Sequence, residues 1–203
     1  MSMPFNTPAI LRTPYTIQPV PRDLILSSPK STRDDEPHIL WVGCSDSSVM
    51  ETDSLNVGRA EMFVHRNLGH LLSNGDLSSR SAVEWSVELL KVDHIVVCGH
   101  YGCAMLQQQE HESLKTPNTW YKDVAQLHRH HTLDLSEKHI VLPEHDLQHR
   151  FEDIYVLAEV DWLKRQPLVK KAMEERGMQI HAFVWDEETN GCVQLIAGKP
   201  DLS

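Results

Sequence analysis

Two short, nearly unbroken apolar runs, Ile39-Leu40-Trp41-Val42-Gly43 and His94-Ile95-Val96-Val97-Cys98-Gly99, set the strongest limit on how this chain folds. A strand with one wet face alternates apolar and polar side chains. An unbroken run instead fits a strand covered on both faces, as in a parallel sheet. Glu61-Met62-Phe63-Val64-His65 reads as a third, weaker strand. Before the second run, Val83, Val87 and Leu90 recur at helical spacing, with Ser81 and Glu84 placed for a capping box. Strand, strand, helix, strand in that order requires crossovers. The expected fold is therefore α/β, with a mainly parallel central sheet flanked by helices.

Further along, Thr116-Pro117 reads as an N-cap followed by proline at the first helical position, with Trp120, Val124 and Leu127 as the apolar stripe. A longer helix is expected from near Pro143 to just before Pro167, burying Leu147, Phe151, Tyr155, Ala158 and Trp162. A short helix from Leu168 should end at Gly177. Ile180 to Trp185 and Cys192 to Ile196 read as a C-terminal hairpin. Residues 1–36 carry Pro4, Pro8, Pro14, Pro19, Pro21 and Pro29 and end in the charged run Arg33-Asp34-Asp35-Glu36. They are expected to form an extended N-terminal arm lying on a partner subunit, with residues 37–203 as a single domain.

At 203 residues with 40% apolar content, the chain is long enough for one full core. A formal charge of -10 argues against nucleic acid, which needs concentrated Lys and Arg. No stretch reaches the roughly 20 apolar residues needed to span a bilayer, and the N-terminus lacks the apolar core of a secretory signal. The expected compartment is the cytoplasm. Up to Arg33 the only acidic residue is Asp23, which suits mitochondrial import, but the prolines would break the amphipathic helix of a transit peptide. Cys44, Cys98, Cys103 and Cys192 are too few and scattered for a disulfide framework.

Both apolar runs lead into polar clusters: Cys44-Ser45-Asp46 after the first and His100-Tyr101-Gly102-Cys103 after the second. In open α/β sheets, sites form outside the carboxyl ends of strands, so the two clusters can meet there. Cys44, His100 and Cys103 then offer two thiolates and an imidazole, a set that suits zinc and leaves a fourth position open. On spacing alone, a zinc site and plain packing of buried cysteines stand at even odds. Cys98, within a strand, and Cys192, in the hairpin, are expected to be packing residues. His128, His130, His131, His139, His145 and His149 fall in charged helical sequence and read as a solvated face rather than a second metal site. Trp85, Trp120 and Trp162 lie on helical stripes, as core or subunit contacts.

Four segments, ILWVGCSDSSV, EMFVHRNLGHLL, SAVEWSVELLKVDHIVVCGHYGC and IHAFVWDEETNGCVQL, resemble in order the β-class carbonic anhydrases, whose zinc motifs are Cys-x-Asp-x-Arg and His-x-x-Cys. The likeness is dense over residues 38–106 and looser over 150–197. It implies one Zn2+ per chain on Cys44, His100 and Cys103, with Asp46 as a supporting carboxylate or fourth ligand. It also implies reversible hydration of carbon dioxide to bicarbonate, and a homodimer or homotetramer with its sites near subunit interfaces.

The pattern breaks at Ser48, where the family carries the arginine that holds the aspartate through a planar, charge-assisted pair. Removing one partner of a buried ion pair typically costs about 3–5 kcal/mol. Asp46 can then ligate zinc, protonate, or find another donor, for which Arg59, Arg66 and Arg80 are candidates. The expectation is a carbonic anhydrase in which Asp46 and Ser48 set a reduced rate. The alternatives are a carbonyl sulfide or carbon disulfide hydrolase on the same zinc, or a silent homologue whose Asp46 closes the site. Ala104-Met105 stand where the family usually has two glycines, which implies a narrower or more apolar pocket. Trp41 and Arg66 match positions that hold a non-catalytic bicarbonate in one subgroup, although its tyrosine is replaced here by Trp185.

Overall fold

A computed structural model describes Phe5, residues 7–21, Leu24, residues 37–107, Trp120 and residues 122–198. The two apolar runs form β2 (Ile39–Cys44) and β4 (His94–His100), and every residue of both is buried. They pair in parallel, with Ile39 opposite His94 and Gly43 opposite Cys98. β2 pairs in parallel with β3 (Met62–Asn67) on its other side, with α2 (Glu51–Leu55) between them in the chain, and β4 with β5 (Gln179–Asp186). β6 (Gly191–Ala197) returns antiparallel to β5 as the expected hairpin.

Alternate residues of the central strands enter different cores, as a period of two requires. Leu40, Val42, Ile95 and Val97 face one apolar cluster, and Ile39, Trp41, Val96 and Cys98 face another. The first cluster is completed by helices. α3 (Leu77–Glu84) supplies Val83, α6 (Glu144–Lys164) supplies Val156, Val160 and Leu163, and α7 (Pro167–Arg176) supplies Val169. Each fully buried aliphatic side chain contributes about 1.5–3 kcal/mol, so these strand positions dominate the apolar drive. Gly99 lets α6 approach β4 closely: a Cβ there would lie 2.5 Å from Val156 Cγ2.

Both C-terminal helices have the expected ends. α6 is preceded by Pro143, and α7 begins at Pro167 and stops at Gly177, whose φ of 70° is the left-handed cap. The capping box expected at Ser81 and Glu84 does not form. α3 starts earlier, where Asp76 accepts a hydrogen bond from the Ser79 N–H at 2.7 Å, and Ser81 lies inside the helix. The helix then widens into a π-turn over Trp85–Leu89, with the Leu90 N–H reaching the Trp85 carbonyl. Trp85 is exposed there rather than core. The proposed Thr116-Pro117 helix start lies outside the described residues; α5 is described over Lys122–Glu137, with Val124 and Leu127 buried.

The N-terminal segment differs from the expected arm. α1 (Thr7–Arg12) packs Ile10 with Phe5 into a cluster with Phe151, Ile154 and Tyr155. β1 (Tyr15–Pro19) pairs antiparallel with β6 and completes a six-stranded sheet of order β1-β6-β5-β4-β2-β3. Proline suits an edge strand, because it lacks the N–H a central strand must donate. The apolar anchors Phe5 and Ile10, overlooked beside the prolines, fold this part of the segment onto its own chain. Among the described residues, no helix is long and apolar enough to cross a membrane.

Candidate metal centre

Cys44 is the last residue of β2 and His100 the last of β4. The chain leaves β2 toward β3 on one side, while β4 and β5 lie on the other, so the two carboxyl ends meet at the reversal of strand order where such sheets place their sites. Cys103 follows a tight turn and precedes α4 (Ala104–Gln107). The ligand atoms of Cys44, His100 and Cys103, all buried, lie within 4.8 Å of one another, and the two sulfurs are 3.9 Å apart. A tetrahedral ion with metal–sulfur bonds of about 2.3 Å spaces two sulfurs roughly 3.8 Å apart. His100 Nε2 is buried without a hydrogen-bond partner, which leaves it free to coordinate. These residues fit a zinc ion.

The protein prepares Cys44 to carry charge. Its sulfur accepts backbone N–H bonds from Gly69 at 3.2 Å and Asp46 at 3.4 Å. Gly69 sits at φ 75°, and a Cβ on it would lie 2.7 Å from Met105 Sδ, so the close N–H approach needs glycine. The Cys103 thiol directed at Cys44 holds its pKa far below the usual thiol range against the cost of burial, helped by the rings of His100 and His70. Cys103 is pushed up in turn by the Cys44 sulfur and by burial. Burial works against a charged His100, but the Cys44 sulfur and the carboxylates of Asp46 and Glu152 outweigh it and raise the ring's pKa. The cluster favours a thiolate at Cys44 beside an imidazole that must release its proton to coordinate, a set that a cation would displace protons to occupy.

Asp46 Oδ2 accepts the backbone N–H of Ala104 at 2.9 Å. None of the three candidate arginines holds it. Arg59 donates to the Met62 carbonyl and Arg80 pairs with Glu84. Arg66 pairs with Glu51 at 2.7 Å and donates to the carbonyls of Cys44, Ser47 and Val49, pinning the loop after β2. Ser48 turns the other way, donating to Glu187 Oε1 at 3.2 Å and accepting from Trp185 Nε1 at 3.3 Å. Trp41 and Arg66 are neighbours across Gly43, but the Arg66 donors are already used, and Trp41 Nε1 is buried without a partner.

The residues that fasten the site came without a sequence signal. α6 carries three buried acids. Glu152 Oε1 accepts the Cys103 N–H at 3.0 Å. Asp153 accepts from the hydroxyls of Tyr15 and Tyr101 at 3.0 and 3.1 Å. Glu159 accepts the Leu72 and Ser73 N–H groups and the Ser73 hydroxyl. Burial raises all three, Glu152 and Glu159 to about 7 and Asp153 to about 6. They lie beside the apolar stripe of the same helix, and nothing in the sequence sets them apart from surface acids. Of the histidine tract, His131 is buried and not part of a solvated face; its ring packs against Phe151. Cys98 and Cys192 are free and sit in the Trp41 cluster, as packing residues do.

The carbonic anhydrase family model matches residues 39–192. The chain belongs to the β-carbonic anhydrase family. It is 32% identical to the carbonic anhydrase of Emericella nidulans over 152 residues, covering 74% of this chain and 65% of that one. It is 29% identical to the Candida albicans enzyme over 163 residues, 78% of this chain and 56% of that one, so it spans less than two thirds of the length of either relative. Among solved structures, the β-carbonic anhydrase CafA of Aspergillus fumigatus superposes with a TM-score of 0.73 at 32% identity, covering 82% of this chain and 79% of that one. Wild-type CafD of the same fungus gives 0.72 at 28% identity, covering 89% and 99%. A tetrameric β-carbonic anhydrase of Sordaria macrospora gives 0.66 at 28% identity, covering 79% and 81%. The central sheet and flanking helices described above are those of this family.

Proposed function

We propose that the chain is a zinc-dependent carbonic anhydrase that interconverts carbon dioxide and bicarbonate. The observation that carries this reading is the cluster of Cys44, His100 and Cys103 at the carboxyl ends of β2 and β4, with its sulfurs at tetrahedral spacing. These three residues would hold the metal. Zinc supplies Lewis acidity that brings the pKa of water from about 15.7 toward ~7. The protein's own groups do the rest. The N–H groups of Gly69 and Asp46 hold the Cys44 sulfur, Glu152 holds the Cys103 loop, and Asp46 is the acceptor that orients the reacting water. With Oδ2 occupied by the Ala104 N–H, Oδ1 is the oxygen left for that role.

The rate is proposed to be reduced, because one neutral N–H replaces a planar cation beside Asp46, and loss of a supporting group at a metal site commonly costs about 10 to 100-fold. The hold of Ala104 on Asp46 favours an open fourth position over one closed by this carboxylate. A homodimer or homotetramer is proposed, in keeping with the tetrameric Sordaria macrospora relative. The four free cysteines suit a reducing compartment such as the cytoplasm.

The test is stopped-flow carbon dioxide hydration on protein of measured zinc content, from about pH 6.5 to 9, a range bracketing a zinc-water titration near 7. Expected are one zinc per chain, lost in His100→Ala, and turnover that rises with pH. Full zinc without turnover at any pH refutes the proposal. Faster turnover of carbonyl sulfide than of carbon dioxide on the same sample moves the assignment to a sulfur substrate.

A further inference from the structure

Tyr15 stands far from the metal centre in sequence, in β1, outside the residues 39–192 that the family model matches. Its hydroxyl nevertheless donates to Asp153 Oδ2 on α6 at 3.0 Å. The other oxygen of the same carboxylate, Oδ1, accepts the Tyr101 hydroxyl at 3.1 Å. Asp153 is 2% exposed. Phenols titrate near about 10, so both are donors at neutral pH; each holds one oxygen, and together they stop the carboxylate from turning. Tyr101 in turn sits inside the metal turn. With Gly102, whose φ is 74°, it makes up the whole link between His100 and Cys103. Three contacts fix it: its N–H donates to the Trp185 carbonyl at 3.0 Å, its ring stacks on His149 with centroids 3.9 Å apart, and its hydroxyl ends on Asp153. With backbone, ring and hydroxyl all held, the turn presents the His100 ring and the Cys103 sulfur in one direction.

We propose that Tyr15 is a positioning residue for the metal centre: acting through Asp153 and Tyr101, the N-terminal strand holds the turn between His100 and Cys103 at the spacing a metal needs. The inference rests on the reading of Cys44, His100 and Cys103 as zinc ligands. The backbone of β1 is bonded to β6, with Tyr15 opposite Ala197, at the edge of the sheet remote from β2. The strand therefore reaches the metal turn through the Tyr15 side chain and not through its ladder. Groups that orient metal ligands from behind are commonly worth about 10 to 100-fold in metal affinity. Tyr15 stands two hydrogen bonds and one residue away from a ligand, so its share falls at or below the low end of that range.

The test is the rate at which full-length zinc-loaded protein gives up its metal to a chelator, 4-(2-pyridylazo)resorcinol. Tyr15→Phe removes one hydroxyl and keeps the ring, and zinc should leave it about threefold to tenfold faster. Tyr101→Phe should act in the same direction. Because both hydroxyls act through one carboxylate, Tyr15→Phe should add nothing once Tyr101→Phe is in place. In the cobalt-substituted protein the visible bands should shift in each single variant and no further in the pair. Gln18→Ala removes a different side-chain bond of the same strand, Gln18 Nε2 to Gln194 Oε1 at 3.2 Å, and should leave release unchanged. Release from Tyr15→Phe at the unmodified rate, additive effects of the two tyrosine variants, or equal acceleration by Gln18→Ala overturns the inference while the zinc assignment stands. A chain that takes up no zinc, or keeps it in His100→Ala, refutes the zinc reading itself and this inference with it.

Discussion

Ala104→Pro removes one hydrogen atom from the site, the one the Ala104 N–H gives to Asp46 Oδ2 at 2.9 Å. Ala104 opens α4 and its side chain is exposed, and the first helical position accepts proline without strain. The change therefore takes away the donor that Asp46 has in place of a charged partner and leaves the three candidate ligands in place. A hydrogen bond to a charged group is worth about 1.5–3 kcal/mol. Asp46 and Ala104 are both exposed, so solvent recovers part of that, and about 1 kcal/mol remains. At 1.36 kcal/mol per decade, carbon dioxide turnover should fall by about fivefold. Stopped-flow rates at matched zinc content measure this, and the rescue is Ser48→Arg. That substitution alone should raise turnover about tenfold by restoring a charged partner, and it should make the Ala104 N–H dispensable. If Ala104→Pro turns over as fast as the unmodified chain at equal zinc, Asp46 does not depend on Ala104 and the account of the site fails.

Glu159 holds two backbone N–H groups and a hydroxyl, so Glu159→Ala should lower stability by about 3 kcal/mol or more in urea denaturation. Glu159→Gln keeps an acceptor and serves for pH. The folded pKa of Glu159, about 7, lies above its ordinary value of 4.5, so its contribution is complete below about pH 4.5 and is lost as pH rises through 7. Between pH 5 and 8 the glutamine variant should therefore gain roughly 2–3 kcal/mol on the unmodified chain, and parallel curves would refute this. His181 runs the other way. Burial and the neighbouring His94 ring, 3.0 Å away, push it down to about 4, so its contribution is present above pH 6.5 and lost as pH falls through 4. His181→Gln should gain roughly 2–3 kcal/mol on the unmodified chain between pH 7.5 and 4.5, read by the same denaturation.

The parts of the fold legible in the sequence are those where one physical signal acts alone. The two central strands, β2 and β4, announce themselves because burial on both faces leaves no polar residue between their ends, and α7 because Pro167 and Gly177 mark its ends chemically. The described part of residues 1–36 folds onto its own chain where an arm was expected, because proline composition is conspicuous and two apolar anchors, Phe5 and Ile10, are not. The Ser81-Glu84 pair had the right spacing in the wrong turn, since Asp76 reaches the helix start first. At the site, the three side chains that could hold a metal carry distinctive chemistry at or just past strand ends, and the structure brings them together. The partner of Asp46 was not, because a backbone N–H is the same at every residue and only the folded path of Cys103-Ala104 aims it. The buried acids of α6 escaped for the opposite reason: a glutamate in a helix is ordinary until tertiary packing covers it.

Those acids tie the site's moving parts to a single body. The Cys103 amide ends on Glu152, and the Leu72 and Ser73 amides end on Glu159, two turns further along the same helix. A fluctuation that frees one of these amides to exchange with solvent must either leave a carboxylate stranded in the core or carry α6 away from the sheet. The second route releases all three at once. The loop beneath Cys44 and the turn that carries Cys103 are therefore expected to exchange as one cooperative unit with α6, and amide protection at Leu72, Ser73 and Cys103 should be lost together.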